Sequence, residues 1–345
     1  MPASIHICLV FASSGEQLGG LEQQVIVQAN ALSACSGVHV SVMGAPAYRD
    51  HFTSAVNFCS LPLHLSRNHP SLLIKLYRHL KALQPDIVHS HGHKAASLLS
   101  KLRRFTSYYR WVATAHGTKK QNHMLRHAHH VFAVSQGVQA AMAPLDSEVL
   151  YNAVPPYHEE QQNKAELCAE WQLDPELPLL IAVGRLAKVK AYARLMQAVR
   201  ELEVNLLIFG DGPERDYLAL RQSDRIRLAG HDHRVRRRYY AADCLVICSE
   251  REGHSLSMIE ALQADCPVLS TPVSGATEWL PQSCLIQASS DDELTACLRE
   301  KLPQLAALKA ELSPYFERAR EELSPEKLAD KLLNTYHAVL ASRPE

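Results

Sequence analysis

Leu179-Leu-Ile-Ala-Val-Gly-Arg-Leu-Ala-Lys-Val-Lys190 is the stretch on which the fold turns. Five consecutive apolar residues closed by a glycine predict a strand covered on both faces, and a helical pattern opens near Ala191. A buried strand feeding a helix through a short turn is the repeating unit of parallel α/β sheets. Arg185 and Lys190 sit in that turn, where backbone N–H groups and the helix dipole favour an anion. Two cations there could hold a diphosphate without a metal ion.

The same alternation extends in both directions. Downstream, Asn205–Phe209, Ile226–Leu228, Cys244–Cys248 and Val268–Ser270 read as strands, with helices beginning near Ala191, Pro213, Arg234 and Ser257. Upstream, strands are expected at Ile5–Phe11, Val38–Met43, Asp86–Ser90, Trp111–Ala115, Val131–Val134 and Glu148–Leu150, with helices over Leu21–Ala34 and Leu72–Leu83. The prolines and Glu/Gln run between Pro155 and Pro178 interrupt the pattern and read as a linker with one short helix. The expectation is α/β: two Rossmann-like domains, 1–154 and 178–322, joined by a linker at 155–177. A C-terminal helix over 323–345 would pack back on the first domain. Two such sheets place their carboxyl ends around one cleft.

Length agrees, since 345 residues at roughly 100–200 per domain suggests two. The formal net charge of zero gives no sign of a nucleic-acid binder, yet it is a cancellation. Residues 1–153 hold 13 Lys+Arg against 6 Asp+Glu, and the remainder 23 against 30. The basic first domain, with Lys101, Arg103, Arg104, Lys119, Lys120 and Arg126, suggests a phosphorylated or membrane-anchored partner, or an anionic membrane surface. Nine scattered cysteines read as small buried hydrophobes of a reducing compartment. The first strand starts at Ile5 without a leader pattern, and no apolar run reaches the roughly 20 residues of a membrane helix. A cytoplasmic protein, at most held to the inner membrane's cytoplasmic face, is expected.

Other residues point to chemistry. Glu250-Arg-Glu252-Gly-His-Ser-Leu-Ser257-Met-Ile-Glu260 follows a strand and carries two carboxylates able to accept from sugar hydroxyls, although Ser257-x-x-Glu260 also fits a capping box. Phe209-Gly-Asp-Gly-Pro-Glu214 is a strand end running into a helix with Pro213 at its first position. A GxGxxG pattern is absent, which argues against a dehydrogenase. Gly19-Gly20-Leu21-Glu22 lets backbone approach a phosphate. His89, His91 and His116 end strands facing the expected cleft. Gly92 breaks the alternation before His93, which argues against a zinc site there. His127, His129 and His130 read as a solvated helix end.

In order and spacing, Gly19-Gly20-Leu21-Glu22, Val88-His-Ser-His91, Thr114-Ala-His116-Gly117, Val134-Ser135, Tyr151-Asn152-Ala153-Val154, Val183-Gly-Arg185 with Lys190, Phe209-Gly-Asp-Gly-Pro213, and Glu252 with Glu260 ahead of Pro267-Val268 resemble the retaining glycosyltransferases of family 4, which have the two-domain GT-B fold. The resemblance implies that Arg185 and Lys190 bind the donor diphosphate and stabilise the leaving group. It implies Glu260 at the ribose, Glu252 at the donor sugar, His116 near the hexose, and Gly20 near the phosphate and acceptor. Gly184, Gly210, Gly212, His254 and Ser255 complete the donor set, and Glu22, His91, Lys119 and Lys120 are acceptor-side candidates. No metal or other cofactor is expected, in line with the lack of an Asp-x-Asp motif. The implied reaction moves a hexosyl group from a nucleotide sugar, UDP favoured, to a cell-envelope glycan or glycolipid such as a lipopolysaccharide core, with retention. A GT-B sugar-nucleotide 2-epimerase and a non-catalytic GT-B binding subunit are the alternatives. Three positions depart from the family pattern: Ala191 for a glycine, Gly253-His254-Ser255 for Gly-Phe-Gly, and Ser274-Gly275 for Gly-Gly. They bear on which donor is accepted.

Overall fold

The computed structural model describes residues 4–13, 18–106, 108–118 and 122–342. The chain divides into two compact units, one of Met1–Val154 with Ser324–Glu345, the other of Pro155–Leu323.

In the first unit, β1 (Ile5–Phe11), β2 (Val38–Gly44), β3 (Val56–Ser60), β4 (Ile87–His91), β5 (Arg110–Ala115), β6 (His130–Ala133) and β7 (Glu148–Val149) form one sheet in the order β3-β2-β1-β4-β5-β6-β7. Every pairing is parallel. Helices α1 (Gly20–Ser33), α2 (Pro70–Leu83), α3 (Gly92–Leu102) and α4 (Gln136–Ala141) connect them. The central strands read as continuous apolar runs because both faces are covered. On one face Leu72, Leu76, Leu80, Leu98, Leu99 and Trp111 share a core; on the other, Val25, Ala29 and Leu32 of α1 pack with Leu328, Leu332 and Tyr336. Those last three come from the C-terminal helix, so the chain's end completes the first unit's second layer.

In the second unit, β8 (Leu179–Val183), β9 (Asn205–Phe209), β10 (Ile226–Gly230), β11 (Cys244–Ile247) and β12 (Val268–Ser270) lie in the order β10-β9-β8-β11-β12, all parallel. Its helices are α5 (Lys164–Trp171), α6 (Tyr192–Val199), α7 (Arg215–Ala219), α8 (Leu256–Gln263), α9 (Ala276–Trp279), α10 (Asp291–Lys301), α11 (Leu305–Glu311) and α12 (Ser313–Glu322); α13 (Pro325–Ala341) then joins the first unit. The strand order reverses between β8 and β11, and ligands of open α/β sheets bind beyond the carboxyl ends of strands at such a switch point.

The 155–177 stretch carries one short helix, α5, capped by an Asn163–Glu166 capping box and clustered with the second unit. Arg238 anchors it, pairing with Glu170 at 2.5 Å and Asp232 at 2.8 Å while only 6% exposed. The element near Arg234 is a 3-10 turn, Val235–Arg238, rather than a helix. Strand β3 lies outside the strands expected from the apolar runs. Finally, His129 and His130 are not a helix end: His129 accepts the Trp111 N–H at 2.9 Å and His130 starts β6.

Candidate active site

Beyond the carboxyl ends of β8, β9 and β11, three loops are held against one another by backbone hydrogen bonds. Gly184 N donates to Phe209 O at 2.9 Å, Leu186 N to Asp211 O at 2.9 Å, and Glu250 N to Val189 O at 2.8 Å. Gly210 N donates to Gly230 O at 2.7 Å, and Gly212 N to its neighbour's carboxylate, Asp211 Oδ1, at 2.7 Å. The amides of Gly184, Gly210 and Gly212 are therefore already engaged within the protein. Their glycine character serves loop packing: a Cβ on Gly210, whose φ is +144°, would lie 2.0 Å from Gly184 O, and one on Gly212 2.4 Å from Leu186 O. At this edge only side chains and helix N-termini are left to face an anion.

Two cations stand in the β8 loop. Lys190 Nζ meets Glu252 Oε1 at 2.6 Å, and Ser249 Oγ donates to the same oxygen at 2.6 Å. With the side chains of Lys190 and Glu252 only 20% and 12% exposed, this is a partly desolvated pair rather than a surface salt bridge. Arg185 is exposed, and no hydrogen bond or ion pair engages its guanidinium among the described residues. Helix α6 starts with no side-chain cap at Ala191, and α8 with none at Ser255, whose hydroxyl instead lies 2.9 Å from that of Ser257. Uncapped first turns beside an open arginine give a positive potential suited to a diphosphate.

Glu260 settles one ambiguity. The N-cap of α8 is Ser255, so Ser257 lies inside the helix and the Ser257-x-x-Glu260 capping box does not form. Glu260 Oε2 instead accepts from Tyr239 Oη at 2.9 Å. Burial raises the pKa of the Glu260 carboxyl, opposed by the nearby Arg236 charge and the Tyr239 hydrogen bond. Tyr239 and Tyr192, whose hydroxyl would be 2.9 Å from a Cβ on Gly184, are the residues missed from the sequence; neither has a spacing signature. His254 is buried beneath Gly275, where a Cβ would come within 2.7 Å of its ring, and it packs 6.3 Å from Trp279. The second glycine of the familiar Gly-Gly pair is thus retained where the close approach occurs.

Ala191 takes the left-handed conformation, φ +52° and ψ +33°, in which glycine is at ease and alanine strained. Ala191→Gly should therefore stabilise the fold by about 0.5–1 kcal/mol, once the larger unfolded-state entropy of glycine is subtracted. A raised urea midpoint at unchanged m-value checks this, and a lowered midpoint contradicts it.

In the first unit, Gly20 opens α1 and is exposed, whereas Glu22 is buried and accepts from Ser13 Oγ. His91 Nδ1 lies 3.2 Å from His116 Nε2, and its ring stacks 4.3 Å from His89. His89 is held between Tyr336 Oη at 2.6 Å and Thr114 Oγ1 at 2.7 Å. His91, 1% exposed, supports His116 from beneath. Lys119 and Lys120 lie outside the described residues. Burial is the leading cause that pulls the His89 and His254 pKa values down to about 3 and that of His116 to about 4.

An unfolded histidine titrates near 6.5, so below that pH the unfolded chain takes up protons that these rings refuse. Stability should fall as pH drops from about 6.5 toward 4, with His89 and His254 each costing about 2 kcal/mol by pH 5. Urea midpoints measured from pH 7 to 5 should decline steeply; a flat series contradicts the buried neutral rings.

The sequence falls within two family models, Glycosyltransferase Family 4 over residues 18–158 and Glycosyl transferases group 1 over residues 177–302. The chain belongs to glycosyltransferase family 4. It is 28% identical over 186 residues to a lipopolysaccharide core biosynthesis glycosyltransferase of Rhizobium meliloti, covering 51% of this chain and 54% of that one. It is 23% identical over 203 residues to N-acetyl-alpha-D-glucosaminyl L-malate synthase of Bacillus anthracis, covering 56% and 53%. The chain thus spans about half the length of these two relatives. The GT-B fold is shared with the Anabaena protein HepE, solved in complex with UDP, at TM-score 0.80 and 17% identity over 97% of this chain and all of that one. Among the described residues, no helix is long and apolar enough to cross a membrane.

Proposed function

We propose that this chain transfers a hexosyl-type sugar from a nucleoside diphosphate sugar to a cell-envelope glycan or glycolipid, with retention of configuration and without a metal ion. The observation that carries the reading is the β8–β11 loop edge: an open Arg185 beside a Lys190 already paired with Glu252, over turns drawn together by glycines. On donor binding, Arg185 and Lys190 meet the diphosphate, and their charge stabilises the nucleoside diphosphate as it leaves, the interaction that grows most toward the transition state. Neutralising that leaving group with two fixed cations removes the need for a divalent ion.

Glu252, held by Lys190 and Ser249, accepts from hydroxyls of the donor sugar, and Glu260, held by Tyr239, accepts from the ribose. His254 and Ser255 shape which sugar is taken. On the first unit, His116, kept neutral and braced by His91, is assigned to the hexose, and Gly20, with Glu22, His91, Lys119 and Lys120, to the acceptor side. UDP is the favoured donor nucleotide, since HepE was solved with it; a lipopolysaccharide-type acceptor is favoured by the Rhizobium relative.

The test is incubation of the full chain with UDP-, GDP- and ADP-sugars, with and without cell-envelope glycolipid. Release of nucleoside diphosphate and α-linked product only when acceptor is present is expected. Conversion of the nucleotide sugar without acceptor would make the chain an epimerase, and no turnover with any donor would leave it a binding subunit.

A further inference from the structure

Ala191 closes the Lys188–Lys190 turn in the left-handed conformation, so α6 begins abruptly and Tyr192 takes its first helical position. Long side chains in a helix lean toward its N-terminus, and from that position a tyrosine reaches back over the loop that leaves β8. Tyr192 Oη ends beside Gly184, 2.9 Å from where a Cβ on that glycine would lie, and Lys190 Nζ stands 3.4 Å from the same point. A phenol and an ammonium thus converge over the one residue of the turn that has no side chain, and Arg185 follows it directly.

The Tyr192 hydroxyl does nothing for the fold. The residue is 3% exposed, yet no hydrogen bond engages its Oη among the described residues. Three other buried tyrosines use theirs: Tyr239 Oη donates to Glu260 at 2.9 Å, Tyr336 Oη lies 2.6 Å from His89 Nδ1, and Tyr109 Oη lies 3.0 Å from Thr106 Oγ1. Tyr192 Oη is not sealed from solvent as the unpaired Trp171 Nε1 is, so a ligand atom can reach it. Burial, and after it the Glu252 charge, pushes its pKa up, so the phenol keeps its proton and meets an anion as a donor. Glu252 does not accept that proton: its Oε1 takes hydrogen bonds from Lys190 and Ser249, and none joins it to Tyr192 among the described residues.

We propose that the Tyr192 hydroxyl donates a hydrogen bond to the diphosphate of the sugar nucleotide, beside Lys190 and over Gly184. This rests on the reading of the β8–β11 edge as the diphosphate site, and adds to it a neutral donor on a ring held by the core. Lys190 is shared with Glu252 and Arg185 is exposed, whereas a buried phenol fixes the position of one phosphate oxygen. As the bond from the sugar's anomeric carbon to the phosphate breaks, its electron pair stays on the phosphate. The hydrogen bond therefore strengthens toward the transition state.

Tyr192→Phe removes the hydroxyl and keeps the ring. Calorimetric titration of UDP into the full chain should show binding about tenfold weaker in Tyr192→Phe than in the wild type, the loss of one charge-assisted hydrogen bond. Displacement by uridine, which has no phosphate, should be unchanged. The urea unfolding midpoint should stay at the wild-type value, because no protein group loses a partner. UDP binding equal in the two chains overturns this proposal and leaves the diphosphate site standing. Equal weakening of UDP and uridine also overturns it, since the hydroxyl would then serve the nucleoside, and so does a lowered midpoint, which would give it a structural role. A wild-type chain that binds no nucleoside diphosphate overturns both readings.

Discussion

Replacing Lys190 with alanine should lower kcat/KM for sugar transfer by about 10²–10³-fold, the loss typical of removing one preorganised group from developing negative charge. The effect should fall mainly on kcat, because the leaving diphosphate gains charge along the reaction while the bound donor already carries most of its own. The substitution also strips Glu252 of the ammonium 2.6 Å away, leaving Ser249 as the group that donates to that oxygen among the described residues. Glu252→Gln therefore serves as the companion variant. It frees Lys190 for the diphosphate but weakens the hydrogen bonds offered to the donor sugar, so it should raise KM without matching the kcat loss of Lys190→Ala. Lys190→Arg should not rescue fully, since a planar fork does not replace a compact ammonium in a loop this tightly tied. Steady-state kinetics of the three variants decide the matter; a Lys190→Ala enzyme within about threefold of wild type would remove Lys190 from the chemistry.

The largest effect on stability should come from Gly210→Ala. A Cβ there would stand 2.0 Å from Gly184 O and 2.9 Å from its carbonyl carbon, and the obstacle is backbone rather than a flexible side chain. Relief requires β8 and β9 to separate just where Gly184 N meets Phe209 O, or Gly210 to leave φ +144°. Either breaks the edge on which the proposed donor site rests. The cost should exceed about 4 kcal/mol, in the exceptional range for a single substitution and close to the whole stability of many domains. The variant should be insoluble or unfold at much lower urea. Gly117→Ala, with nothing within 4 Å of its Cβ, is the control and should shift stability by under about 1 kcal/mol. A Gly210→Ala chain as stable as the control would contradict the packing.

How far the sequence reveals these features follows from how local each one is. Strand β8 and its turn are legible because five consecutive apolar residues closed by a glycine, four of them buried, can be little else, and the alternation of such runs identifies the doubly wound sheets. Strand β3 escapes because Val56-Asn-Phe-Cys-Ser60 is an edge strand with Val56 its one buried residue, so it lacks both the apolar run and a clean alternation. The helix expected near Arg234 fails for a tertiary reason: the buried Arg238 is drawn toward the carboxylates of Glu170 and Asp232, contacts from 68 and 6 residues away. The site behaves likewise. Arg185, Lys190 and Glu252 are legible as residue types at strand ends, but the pairing of Lys190 with Glu252 spans 62 residues and has no local trace. Ser257-x-x-Glu260 shows the converse: a valid local pattern, overridden by a hydrogen bond from Tyr239, 21 residues upstream. Ala191 is a third case, since a left-handed residue reads as an ordinary alanine until its φ is known.

Calorimetric titration of UDP into the full chain in the presence of a chelator tests most directly the claim that Arg185 and Lys190 form a metal-free diphosphate site. The account predicts saturable binding by the wild type, at least about tenfold weaker binding by Arg185→Ala and by Lys190→Ala, and little loss when UDP is replaced by UDP-sugar. No binding of any nucleoside diphosphate by the folded wild type, or binding unchanged in the Arg185→Ala/Lys190→Ala double variant, would contradict it.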